Sequence, residues 1–198
     1  SAKAVDAHQY AAHGFAWVAT YTESLRQMAQ WADRLREAGT FGDTEALVLQ
    51  IAFGAYIAQL SGGLPMAQGE ISYPHELGVD PAPLRTGAAG RLATEGNTDA
   101  ARQALATIMR SQSGQATVGA AGLDEEFDMI RDQFRRFCDD NVLPYALGWL
   151  ERDELIPMEI VTEMAELGVF GLTIPEEFGG FGMGKTAMCV VSEELSRG

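Results

Sequence analysis

The chain has 198 residues, of which 46% are hydrophobic and 21% are charged, as is typical of a folded protein with a hydrophobic core. Its 28 acidic residues outnumber 14 lysines and arginines, and the resulting formal charge of -14 argues against a nucleic-acid partner or an anionic membrane surface. No run approaches the ~18 consecutive apolar residues of a membrane helix, so we expect no membrane span.

A long first helix is predicted from Ala7 to Glu37, because apolar residues recur there at alternating steps of three and four. A second helix, capped by Thr44, is apolar on nearly every side from Ala46 to Leu60 and stops at Gly62. A helix of this kind is surrounded by protein. We therefore place it at the centre of a helical bundle or at an oligomer interface.

The next segment, Leu64 to Gly90, contains four prolines and is predicted to be an irregular excursion over the surface. A short helix then follows from Asp99 to Arg110. Residues 111–122 are small and uncharged, which is typical of a flexible linker. The sequence thus predicts a helical extension over residues 1–110, a linker over 111–122 and a second domain over 123–198.

After the linker, Phe127, Ile130, Phe134 and Phe137 form a helical stripe that begins at a capping Asp124, and Pro144 is predicted to end this helix. A further helix led by Pro157 is closed by Gly168. Neighbouring carboxylates on such helices point about 100° apart and do not converge as an acid/base pair would. The sequence also has no E-x-x-H pair for a di-iron site.

Cysteine and histidine give little support for a reactive site. Cys138 and Cys189 have no C-x-x-C spacing, so we expect two buried free thiols in a reducing, cytoplasmic compartment, with a redox pair as the alternative. The three histidines, His8, His13 and His75, lack obvious partners and are predicted to be surface residues.

The glycine-rich segment Gly179–Thr186 permits two interpretations. Its letters satisfy G-x-x-x-x-G-K-[ST], the phosphate loop of a nucleotide hydrolase. A phosphate loop follows a buried strand, however, whereas Pro175 and the residues up to Phe178 separate this one from the strand-like Val169–Ile174. We favour a structural connection followed by a helix capped by Thr186, with Lys185 on the surface.

Three sequence blocks carry a resemblance to a known family. They are E-L-G-V-F-G-L at 166–172, I-P-E-E-F-G-G at 174–180 and E-E-L-S-R at 193–197. Together with Phe134-Arg135-Arg136-Phe137 and Ile156-Pro157, their order and spacing resemble the opening of the acyl-CoA dehydrogenase family, over Phe127 to Gly198. The expected fold is all-α: a helical extension followed by the start of that family's N-terminal helical domain.

The resemblance implies an FAD-dependent enzyme with a β domain and a C-terminal helical bundle beyond this segment. In the family a glutamate removes the α-proton of an acyl-CoA thioester, hydride passes from the β-carbon to FAD, and an electron-transfer flavoprotein reoxidises the flavin. We assign no catalytic, cofactor-binding or metal-binding residue to this chain. Glu193 and Glu194 belong to the E-E-L block and are not that base.

FAD is accordingly expected to be bound by parts of a longer polypeptide. The implied partners are that remaining polypeptide, an acyl-CoA substrate, an electron-transfer flavoprotein and further copies of the chain. The extension is similar to that of a subgroup which oxidises a branched C4-dicarboxylic thioester. We expect it to pack on the C-terminal bundle or on a neighbouring subunit through Trp17, Trp31 and the Ala46–Leu60 helix. The alternatives are a non-catalytic helical interaction module of the same family and the nucleotide hydrolase.

Overall fold

A computed structural model describes residues 2–113 and 118–197, and the chain divides into two compact units, residues 1–122 (unit 1) and 123–198 (unit 2). Both units are built mainly from helices, which confirms the predicted all-α class. None of the described helices is long and apolar enough to cross a membrane.

Unit 1 consists of helices joined by one short hairpin and two 3-10 turns. The helices are α1 Ala2–Ala7, α2 Gln9–Glu37, α3 Asp43–Gly62, α4 Gly87–Glu95 and α5 Asp99–Ser111. The hairpin pairs β1 Leu64–Ala67 with β2 Glu70–Ser72 in antiparallel register, Leu64 opposite Ser72. The 3-10 turns are Pro74–Leu77 and Ala82–Arg85.

Helix α3 contacts α2, α4 and α5, although most of its apolar residues remain half-buried within the described part of the chain. At the α4 crossing, a Cβ on Gly54 would lie 2.8 Å from the Leu92 carbonyl oxygen, so only glycine permits the two backbones to approach this closely. Gly54 is therefore needed for the contact between α3 and α4.

The prediction of irregular structure from Leu64 to Gly90 was partly wrong. Prolines do confine the segment to short elements, but it contains the β1–β2 hairpin, and α4 begins at Gly87. Leu64 and Ser72 lie opposite each other in the hairpin and are only 2% and 3% exposed. Burial of this end of the strand pair stabilises the hairpin. Helix α4 was missed because its nine residues, GAAGRLATE, form a short helix that contains two glycines and directly follows the proline-rich stretch.

The C-terminal end of the predicted linker is fixed to unit 1, while residues 114–117 lie outside the described part of the chain. The backbone N–H of Ala120 donates to the Glu45 carboxylate at 2.6 Å. The Trp31 indole N–H donates to the carbonyl oxygens of Ala120 and Ala121, at 3.2 and 3.1 Å. The Trp31 indole is thus bonded within unit 1, while its expected contact outside the extension stays a prediction.

Glu45 holds two segments of unit 1 at once. Besides Ala120, its carboxylate accepts the backbone N–H of Gly42 at 2.8 Å, which satisfies a free donor at the start of α3. Burial raises the pKa of Glu45, but the hydrogen bonds from the N–H groups of Ala120, Glu45 itself and Gly42 outweigh it and hold the pKa below its usual value. The ionised form is therefore the one that the fold stabilises.

Unit 2 contains four helices within its described residues: α6 Glu125–Asn141, α7 Leu143–Glu151, α8 Met158–Glu166 and α9 Gly184–Arg197. Two 3-10 turns, Val169–Gly171 and Glu176–Phe178, connect α8 to α9. The core lies between α6 and α9, where Phe134, Leu172 and Val191 are buried together. This arrangement places the predicted stripe of α6 on the predicted inner face of α9.

Two boundaries in unit 2 differ from the sequence prediction. Pro144 does not end α6, which stops at Asn141; it lies in the first turn of α7, where its missing N–H leaves no bond unmade. The helix α7 was missed for that reason. Likewise α9 begins at Gly184, two residues before the expected cap Thr186. Its predicted inner residues Ala187, Val190 and Val191 are buried.

We expect Glu45→Gln to lower the free energy of unfolding of unit 1 by about 1–3 kcal/mol, because an amide replaces the charged acceptor of two backbone N–H groups. Hydrogen exchange measured by mass spectrometry should show faster exchange at residues 118–122 and at the start of α3. The exposed Glu95→Gln is the matched control. Equal exchange in the two variants would contradict the role of Glu45.

Candidate functional site

The glycine-rich loop folds back on the turn that precedes it. The N–H groups of Phe181, Gly182 and Met183 donate to the carbonyl oxygens of Gly171, Ile174 and Leu172, at 3.0, 2.9 and 2.9 Å. The N–H groups of Gly179 and Gly180 donate within the same turn, to Glu176 and Pro175. Five successive backbone donors are thus already bonded.

This hydrogen-bond pattern is incompatible with a phosphate loop. Such a loop binds phosphate through free backbone N–H groups that follow a buried strand. Here Val169–Gly171 is a 3-10 turn and no strand lies in the described part of unit 2. Lys185 is exposed, as predicted. The interpretation as a structural connection is therefore supported, and the nucleotide-hydrolase alternative loses its site.

The first two sequence blocks that carry the family resemblance are the two halves of this folded turn. Gly168, at φ 84°, closes α8, and Gly171 accepts the bond from Phe181. A Cβ on Gly180 would collide with the Ile174 carbonyl oxygen, so glycine is needed for the two halves to touch. The spacing of the blocks thus reflects one compact structure that sets the direction in which α9 begins.

The third block, E-E-L-S-R, contains a buried carboxylate surrounded by guanidinium groups. Glu194 is only 1% exposed. Arg135 on α6 binds it in a bidentate manner, Nη2 to Oε1 at 2.7 Å and Nε to Oε2 at 3.2 Å. Arg197 Nε donates to Oε2 at 3.2 Å. The block therefore joins α9 to α6.

Further ion pairs extend this cluster, which we call the Glu194 cluster (Asp128, Arg131, Arg135, Asp139, Glu193, Glu194 and Arg197). Arg131 Nη1 lies 3.1 Å from Asp128, its Nη2 lies 3.7 Å from Glu193, and its Nε lies 3.9 Å from Glu194 Oε1. Arg197 Nη2 bridges back to Asp139 on α6 at 2.7 Å. Each buried charge thus faces an opposite charge, as low-dielectric surroundings require.

Burial raises the pKa of Glu194, but its hydrogen bonds to Arg135 and Arg197 outweigh that effect and place the pKa below the usual value. In the same region, burial raises the pKa of the Cys138 thiol. Glu194 is therefore ionised and engaged at neutral pH. A general base needs a free carboxylate within reach of a substrate, whereas this geometry gives Glu194 a structural role.

Sequence reasoning did not find the Glu194 cluster, although the pattern contains a clue. Ala187, Val190, Val191 and Glu194 occupy positions i, i+3, i+4 and i+7 of α9, so the glutamate lies on the apolar stripe. A carboxylate on such a stripe requires a partner. Arg131 and Cys138 mark the same buried face of α6 as Phe134.

The remaining candidate residues lie apart from one another. His8, His13 and His75 are exposed, and His13 accepts the Trp17 indole N–H at 2.9 Å. Both cysteines are free; Cys138 is buried as predicted, but the prediction was wrong for Cys189, which is exposed. No group of three or more His, Cys, Asp or Glu within residues 2–113 and 118–197 could hold a metal ion.

An open groove of unit 2 does not suit the diphosphate of a flavin. This groove, between α6 and Met183, presents Glu126 and Asp132 beside a single Arg136. Two carboxylates oppose the diphosphate of FAD, and the loop N–H groups from Gly179 to Met183 are already bonded within the turn. Several large apolar side chains nevertheless remain exposed in unit 2: Leu147 65%, Leu150 77%, Leu155 92%, Met158 70% and Phe178 75%. A surface of this kind is usually covered by another part of a protein.

Comparison with known proteins gives a match to each unit. Residues 124–198 match the family model described as acyl-CoA dehydrogenase, N-terminal domain. All 198 residues align, at 60% identity, with the (2S)-methylsuccinyl-CoA dehydrogenase of Cereibacter sphaeroides, of which the chain spans 36%. This match confirms the predicted resemblance of the extension as well as that of the domain.

Other relatives align with a much smaller part of the chain. The glutaryl-CoA dehydrogenase of Desulfococcus multivorans is 40% identical over 78 residues, which is 38% of the chain and 20% of that protein. The short-chain specific acyl-CoA dehydrogenase of Rattus norvegicus is 36% identical over 76 residues, 38% of the chain and 18% of that protein. Alignment over the whole chain therefore distinguishes the methylsuccinyl-CoA enzyme from these two.

We expect Glu194→Gln to destabilise unit 2 by about 3 kcal/mol, because it leaves guanidinium groups facing a neutral amide in a buried site. Hydrogen exchange of α6 and α9 should report the loss, with the half-exposed Glu193→Gln as the control. The folded pKa is depressed, so the stabilisation by Glu194 is present above its unfolded pKa and is lost as the pH falls through the folded value. A difference between wild type and variant that does not shrink in acid would contradict this assignment.

Proposed function

We propose that the polypeptide containing this chain is an FAD-dependent acyl-CoA dehydrogenase, because residues 124–198 match the model of that family's N-terminal domain. The reaction is the α,β-dehydrogenation of an acyl-CoA thioester, with (2S)-methylsuccinyl-CoA as substrate and mesaconyl-CoA as product. The observation that carries the proposal is the 60% identity over all 198 residues, extension included, to a protein with that activity in its name.

The structure supports a scaffolding role for this part of the polypeptide. The folded glycine turn and the Glu194 cluster fix α8 and α9 in place, and neither offers a free catalytic group. The exposed apolar residues of unit 2, such as Leu150 and Phe178, form a surface that a second apolar surface would cover favourably. We propose that the remainder of the same polypeptide supplies this cover together with the FAD site and the base.

The finer parts of the proposal follow from the same relationship. The flavin is reoxidised by an electron-transfer flavoprotein, and the enzyme is a cytoplasmic homo-oligomer. With methylsuccinyl-CoA as substrate, the enzyme serves bacterial acetyl-CoA assimilation through the ethylmalonyl-CoA pathway. Each of these statements is tested on the complete polypeptide and not on residues 1–198 alone.

We expect the complete polypeptide to purify with bound flavin, and (2S)-methylsuccinyl-CoA to bleach its visible absorbance under anaerobic conditions. Butyryl-CoA and glutaryl-CoA are the matched substrates, and both should react at least tenfold more slowly. Equal rates with butyryl-CoA would contradict the substrate assignment alone. Absence of flavin from the complete polypeptide would favour the non-catalytic interaction module instead.

The isolated 198-residue chain should not retain FAD, because the open groove of unit 2 presents two carboxylates and the loop N–H groups from Gly179 to Met183 are bonded within the turn. The measurement is the visible absorbance of the chain after incubation with FAD and gel filtration. A flavin spectrum that co-elutes with the chain at a fixed ratio would overturn this expectation.

A further inference from the structure

We draw no further inference here: the strongest candidate, the apolar cavity of unit 1 that Val18, Leu60 and Leu77 help to line, carries none because nothing in the described part of the chain shows what would occupy it.

Discussion

The buried carboxylate of Glu194 is the interaction on which unit 2 depends. It sits on the inner face of α9, beside Val190 and Val191, and it can be there only because guanidinium groups from both helices neutralise it. Hydrophobic contact alone would allow α9 to slide or rotate against α6. A bidentate arginine bond has a fixed direction, so it specifies one register between the two helices. The apolar core of Phe134, Leu172 and Val191 then fills the space that this register defines.

In unit 1 a buried carboxylate, that of Glu45, also holds two segments together. Glu45 accepts N–H groups from the start of α3 and from Ala120, two points far apart in sequence. In both units a short apolar core is given its geometry by one ionised carboxylate with several donors. The two carboxylates differ in partner: Glu194 bonds to side chains and Glu45 to backbone. Neither is free to take part in proton transfer.

Much of this structure could be predicted from sequence, and the failures have identifiable causes. Long apolar periodicity predicted α2 and α6, a capped and nearly continuous apolar run predicted α3, and three ordered blocks gave the family resemblance. Helix α7 was missed because Pro144 can either end a helix or begin one, and only the following packing decides between them. The hairpin is a local element whose strands are joined at Gln68 and Gly69, and it was missed because the prolines around it favoured irregular structure. Glu194 could have been found, because its place on an apolar stripe was already visible.

The folded glycine turn shows that identical letters in a sequence can carry different constraints. Gly179 has φ 82° and open space around its missing side chain, whereas Gly180 lies against the Ile174 carbonyl oxygen. The first is glycine for the sake of backbone angle, and an asparagine could share that conformation. The second is glycine for lack of volume, and no larger residue fits. Among natural variants of this segment, substitution should therefore be tolerated at Gly179 and excluded at Gly180.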